Sequence, residues 1–353
     1  MPAGPEPGLA ARPPARQHSV RRALRRAGRR TNLGLLLLLV GSFASGWLAF
    51  ATAGPVTARL VAVAHGVLGL GIVALVPWKV VVVRRAPRLR VASLTLAVVV
   101  AVCVVAGVVE VLVGPDVGGG LTPIQVHVGA AFALVALLAV HVVRHWRPRL
   151  ARATDVGRRQ LLRTAAFGAA AAGTYVVVDA VGVASGSARA KASTGSHPIT
   201  AAEIPATIWL LDRVPELAWG SHRVVVGAAT LSPADLDARG VAVRARLDCT
   251  TGWYADATWT GVPLSALLDA DDLAGARSVV VTSTTGYRRR FGVEALPRLF
   301  LATRVEGVRL AAGTGAPVRL VAPGHRGFWW VKWVASVEPS ALPAGAQPPF
   351  PLQ

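Results

Sequence analysis

The sequence predicts two modules in series: an N-terminal all-α transmembrane bundle of about five spans, followed by a C-terminal α+β domain rich in short strands. Three observations predict this. The 353 residues are 53% hydrophobic and only 16% charged, with a mean hydropathy of +0.50, against about 45–50% apolar and about 25% charged for a soluble globular chain. Apolar stretches at or near the roughly 20 residues a spanning helix needs crowd the first half. Past about residue 203 the pattern changes to short Val-rich runs broken by Gly, Pro and Asp, the punctuation of strands and turns.

The spans are expected at about 33–53, 57–83, 90–113 and 123–143, with a fifth, richer in Ala and Gly, at about 160–184. Charge orients them. The net +20 divides into +7 for residues 1–32, +11 for 33–200 and +2 for 201–353. The basic excess flanks apolar helices, which excludes a nucleic-acid-binding role and fits membrane topology. Segments 1–32, 84–90 and 144–163 hold 8, 4 and 7 arginines, whereas the turns near 54–56 and 114–122 hold none. By the positive-inside rule the basic tail, 1–32, and both arginine-rich loops are cytoplasmic, and after an odd fifth span the C-terminal domain is extracytoplasmic. The run Gly157-Arg158-Arg159-Gln160-Leu161-Leu162-Arg163 ahead of a mild apolar stretch resembles a twin-arginine export signal, although an ordinary basic flank reads the same way. Ala188-Arg189-Ala190 fits an A-x-A cleavage pattern. The division is therefore a tail (1–32), a four-helix membrane unit (33–150), a fifth span acting as signal or anchor (151–190), a small-residue linker (191–204), a catalytic-type domain (205–340) and a Pro-rich tail (341–353).

In the C-terminal domain strands are expected at 223–227, 241–247, 278–282, 317–322 and 330–337, with helical turns at Leu264–Leu268 and Val293–Leu296. Two cysteines, Cys103 and Cys249, imply no disulfide framework.

Three histidines lie inside spans. An imidazole at bilayer depth is costly and marks a functional candidate, and two histidines from different helices are the usual axial ligands of haem b. His127 and His141 are 14 residues apart, about 21 Å along one helix. Counted from the outer ends of their spans, His65 and His127 differ in depth by about 6 Å and His65 and His141 by about 15 Å at 1.5 Å per residue. Two ligands of one iron lie nearly level, so His65 with His127 is preferred, and His65 with His141 stays open. An interhelical hydrogen bond is the plainer role for each.

The chemistry-bearing stretch is Leu247-Asp248-Cys249-Thr250-Thr251-Gly252-Trp253, continuing to Trp259-Thr260-Gly261-Val262-Pro263. A lone thiol outside the cytoplasm is an oxidation liability that metal ligation or catalysis would justify; a small buried core residue is the alternative. Together with Thr284-Thr285-Gly286-Tyr287, with the run from Gly315 through Arg319 and Gly324-His325-Arg326-Gly327-Phe328, and with Val331-Lys332-Trp333, this stretch resembles the molybdopterin-binding domain of sulfite oxidase-like oxidoreductases, over about 205–340. The cysteine-to-tryptophan loop is closer to the periplasmic methionine sulfoxide reductase branch.

That resemblance implies that Cys249 gives its thiolate to molybdenum, a soft ligand suited to the metal. It implies that Tyr287 stands beside the metal's oxo groups as substrate contact or proton donor. It also implies that Thr284, Thr285, Arg319, Gly324, His325, Arg326 and Lys332 line the pterin pocket, where guanidinium and ammonium groups suit an anionic cofactor. The run Arg288–Arg290 reads more readily as a solvated basic face. Sulfite oxidases carry arginines just after the cysteine, where this chain has Thr250-Thr251-Gly252, so sulfite itself does not transfer as substrate. The expectation is a membrane-anchored oxidoreductase with molybdenum–molybdopterin and haem b. It would exchange electrons with the quinone pool or another membrane carrier and act on a sulfoxide, an N-oxide, a protein sulfoxide or a small sulfur oxyanion. The rival expectation is a non-enzymatic exported ligand-binding or sensor module on a haem-containing anchor.

Overall fold

The computed structural model describes residues 15–84, 91–115, 121–145, 158–186, 191–208, 213–348 and 350. Five long helices come first: α1 (Ala15–Ala51), α2 (Pro55–Arg84), α3 (Val91–Leu112), α4 (Pro123–His145) and α5 (Arg158–Ala184). Each contains a segment long and apolar enough to cross a membrane: Arg30–Ala51, Pro55–Val80, Leu94–Leu112, Pro123–Val143 and Leu162–Ala184. These match the expected spans closely, because a run of Leu, Val and Ala with its backbone bonded internally is the one helical solution for lipid. The expected tail differs: α1 begins at Ala15, so half of the basic segment extends the first span. α1 packs on α2, α3 on α4, and α5 on α2. Ala188-Arg189-Ala190 lies outside the described residues, as do residues 85–90 and 146–157 of the arginine-rich loops.

The C-terminal domain is built on two sheets. The first joins β1 (His197–Pro198), β4 (Val241–Asp248), β5 (Trp253–Pro263), β8 (Phe300–Val305), β9 (Val308–Arg309) and β10 (Arg319–Val321) around the long β5. The second runs β3 (Ala229–Leu231), β2 (Val224–Val226), β11 (Val334–Ser340), β6 (Ser278–Ser283), β7 (Arg288–Gly292). One short helix, α6 (Pro233–Ala238), starts at a Ser232–Asp235 capping box, which satisfies its first free N–H groups. β4 and β5 form a hairpin whose tight end carries Cys249–Gly252. Alternate residues of β5, among them Trp253, Ala255, Ala257 and Trp259, point into one core with Val224, Val281, Leu301 and Leu320, as a half-buried strand of period two requires.

Two expectations are corrected here. The strand placed at 330–337 begins only at Val334, because Trp333 sits at φ +54°, outside the strand region. The segment read as a linker, 191–204, is instead docked: β1 pairs in parallel with Trp253–Tyr254, and Ser196 and His197 are buried. Small polar residues read as flexible until their hydroxyls meet a partner elsewhere in the chain, and here Thr194 and Ser196 both bond Asp248 at 2.8 and 2.7 Å.

Candidate functional site

Cys249 sits where β4 ends, and it is buried. Its Sγ lies 3.1 Å from Thr251 Oγ1 and 3.9 Å from Thr207 Oγ1. The thiol's backbone is fixed from behind. Arg326 forms an ion pair with Asp248 at 2.6 Å and donates to the Cys249 carbonyl at 3.1 Å, and residues 248 and 326 form a parallel bridge. Gly327 makes this approach feasible, since a Cβ there would stand 3.1 Å from the Cys249 Cα.

Beside the thiol lie two cations, Arg319 buried and Lys332 half-buried. Arg319 is only 1% exposed; one guanidinium nitrogen donates to the Thr314 carbonyl at 2.8 Å, and its Nε is buried without a partner. Its plane lies over Trp259 and Trp330, 5.0 and 5.6 Å from the ring centres. Lys332 Nζ donates to the carbonyls of Thr207 and Gly313 at 2.8 and 2.7 Å. Gly315, at φ +111°, turns the chain so that the Cβ atoms of both cations pack against it. Among the described residues neither cation has a carboxylate partner. Burial therefore pulls Arg319 down to about 10 and Lys332 down to about 7, with Arg319 also lowering Lys332 and the Cys249 sulfur opposing both. Buried cations without a counter-charge are unfavourable unless an anion joins them. A polyanionic cofactor with sulfur and phosphate groups fits this donor set: a soft thiolate, a guanidinium with a free Nε and an ammonium.

The remaining candidates divide. Tyr287 donates to the Phe328 carbonyl at 2.5 Å and accepts from Arg289 Nε at 2.8 Å; burial raises its pKa and keeps the phenol protonated. Thr284 and Thr285 occupy the exposed β6–β7 turn, where the Thr284 N–H bonds the Trp333 carbonyl and the Thr285 hydroxyl bonds Ser283. Gly324 is exposed at a positive φ of 78°. His325 packs edge-on against Phe291 and tilted against Trp329, at ring separations of 5.5 and 5.3 Å. Arg326 braces the cysteine loop, with only its Nε left over. The expected solvated face at Arg288–Arg290 is corrected for Arg289, which is buried among Tyr287, Phe328 and Trp329 and bonds the Pro348 carbonyl. Sequence reasoning missed Asp248, Ser196 and Thr207, whose roles come from contacts 42 to 78 residues apart.

In the bundle, the His65 and His127 rings lie 5.7 Å apart. His65 Nδ1 donates to the Ser42 carbonyl at 2.9 Å and His127 Nδ1 to the Cys103 carbonyl at 2.7 Å. A carbonyl accepts only, so each ring carries its proton on Nδ1 and leaves its lone pair on Nε2, the tautomer that second-shell bonds impose on metal-binding histidines. Gly46 of α1 and Gly107 of α3 lie against the two imidazoles. His141 lies toward the far end of α4. The bundle meets the catalytic-type domain directly: Phe50 stacks on Phe328 at 5.5 Å, Trp47 packs on Phe350 at 4.2 Å, and His197 donates to the Glu110 carbonyl at 2.9 Å.

Against known proteins, residues 213–346 match the family model of the oxidoreductase molybdopterin binding domain. The C-terminal module is thus a sheet-rich domain matching the molybdopterin-binding fold, which supports a molybdenum–molybdopterin cofactor and an oxidoreductase activity. No curated protein matches the chain. The crystal structure of the sulfane dehydrogenase SoxCD from Paracoccus pantotrophus is similar over 36% of this chain and 40% of that one, at 23% identity and a TM-score of 0.33. The chain therefore spans well under half of that protein's length.

Proposed function

We propose that the protein is a membrane-anchored molybdenum oxidoreductase whose extracytoplasmic domain exchanges electrons with the quinone pool, or another membrane carrier, through a haem b held by His65 and His127. The observation that carries the reading is the Cys249 thiol beside the two uncompensated cations Arg319 and Lys332. Cys249 would ligate the metal, while Arg319 and Lys332 would bind the anionic pterin. When bound, molybdenum supplies two-electron oxygen-atom chemistry that a protein side chain lacks. Tyr287 keeps its proton, which Arg289 orients and the Phe328 carbonyl now accepts, so it would donate to a substrate oxygen by exchanging that acceptor for the substrate. His65 and His127 would hold the haem, which supplies one-electron storage within the bundle. The substrate class is a sulfoxide, an N-oxide or a small sulfur oxyanion. The arginine-rich cytoplasmic flanks support the orientation, and the sequence around Arg158 supports twin-arginine export.

The test is elemental analysis and a reduced-minus-oxidised spectrum of detergent-purified full chain. Near-stoichiometric molybdenum and iron with a b-type band is the expected result. Cys249→Ala should lose molybdenum and keep iron, and His65→Ala the reverse. Iron without molybdenum, from cells that make the cofactor, would leave the binding-module reading in its place.

A further inference from the structure

One helix, α3, contacts both the His127 ring and the loop that carries Cys249. On α3 the Cys103 carbonyl holds the His127 ring, and seven residues further on Glu110 meets the Cys249 loop. Seven residues are almost two full turns, so both contacts lie on one face of α3, about 10 Å apart along its axis.

The Glu110 end is tightly built. Glu110 is 7% exposed; Oε2 accepts from the Ile124 N–H at 3.2 Å, and Oε1 is buried without a hydrogen-bond partner. Oε1 occupies the space a Cβ of Gly252 would need, and Gly252 sits at φ +91°, so only glycine lets the loop close on the carboxylate. His197 completes the junction. Its Nε2 donates to the Glu110 carbonyl at 2.9 Å, while its backbone N–H donates to the Gly252 carbonyl at 2.8 Å. Lys191 bonds the next carbonyl of α3, at Val111. Thr194 and Ser196 tie the same strap to Asp248, immediately before Cys249.

We propose that the strap 191–198 and Glu110 seat the Cys249 loop on α3 in one register, and that His197 and Glu110 are positioning residues for electron exchange between the catalytic domain and the His65–His127 pair. The proposal rests on the relay reading above. Neither residue touches the thiol, the cationic pocket or the histidine pair, so their loss should slow communication between modules and leave each module intact.

The experiment uses the full chain in detergent, with His197→Ala, Glu110→Ala and the conservative His197→Gln, whose amide can still donate to the Glu110 carbonyl. Hydrogen exchange is read over 191–199 and 249–254. Reoxidation of dithionite-reduced haem by methionine sulfoxide is read optically, and turnover with reduced viologen, which bypasses the haem, is read alongside. His197→Ala should speed exchange in both segments by about fivefold, the effect of removing a hydrogen bond of ordinary strength. It should slow haem reoxidation about tenfold, as misplacement of reacting groups by a fraction of an ångström does, with viologen turnover and metal content at wild-type levels. Glu110→Ala should behave likewise, and His197→Gln should recover most of both effects. Wild-type reoxidation in both alanine variants, or viologen turnover falling in step with it, would overturn the proposal. A wild-type chain without haem, or one whose haem methionine sulfoxide does not oxidise, sinks or redirects the relay reading instead; unchanged exchange in the alanine variants then overturns the seating on its own.

Discussion

At the residue scale, the candidate site is defined by charge without compensation. Lys332 in the fold has a pKa of about 7, below its ordinary 10.5, because burial and Arg319 disfavour the ammonium. Between those values the unfolded chain holds a proton the folded chain has released, so the stability of cofactor-free protein should rise as pH increases from about 7 toward 10.5. Thermal unfolding across that range checks this, and Lys332→Met should flatten the slope. Tyr287→Phe removes a phenol that bridges Arg289 and the Phe328 carbonyl. Loss of a proton donor costs about 100-fold or more in turnover, so kcat should fall by that order while molybdenum content stays constant. Cys249 was legible in sequence as a lone thiol that metal ligation or catalysis would justify, with its role as a metal ligand coming only from the family resemblance. Arg289 was not: a basic triplet reads as solvated unless the aromatic rings that cover it are known.

At the element scale, the hairpin of β4 and β5 presents the thiol, and the turn at 324–330 holds it there. The Asp248–Arg326 pair joining them is mostly buried, with side chains 14% and 6% exposed. Removing one partner strands the other, so Asp248→Ala should cost about 3–5 kcal/mol, seen as a lower denaturation midpoint. The loss of the Thr194 and Ser196 bonds should also release the strap, detectable as new proteolytic sensitivity within 191–198. Helices of the bundle were legible to within a few residues because lipid allows a single backbone solution for a long apolar run. The start of β11 was misjudged because the residue before it, Trp333, has strand propensity yet sits at φ +54°, outside the strand region.

At the scale of the whole molecule, the aromatic contacts of Trp47 and Phe50 with Phe350 and Phe328 place the catalytic-type domain against the ends of α1 and α3. If those ends face outward, as the charge distribution implies, protease added to intact spheroplasts should digest residues after 200 and spare an N-terminal tag; the opposite pattern would reverse the topology. The sequence by itself determined the two-module plan and five helices long and apolar enough to cross a membrane, and it singled out Cys249 as the candidate thiol, because hydropathy, charge asymmetry and local motif are properties of neighbours along the chain. Depth along the helices already favoured His127 over His141 as the neighbour of His65, and the rings do meet at 5.7 Å; tertiary structure alone decided that Arg319 and Lys332 converge on Cys249 without a counter-charge and that 191–198 is a strap rather than a linker. Each of those depends on residues far apart in sequence meeting in space, and packing, not periodicity, selects which ones do.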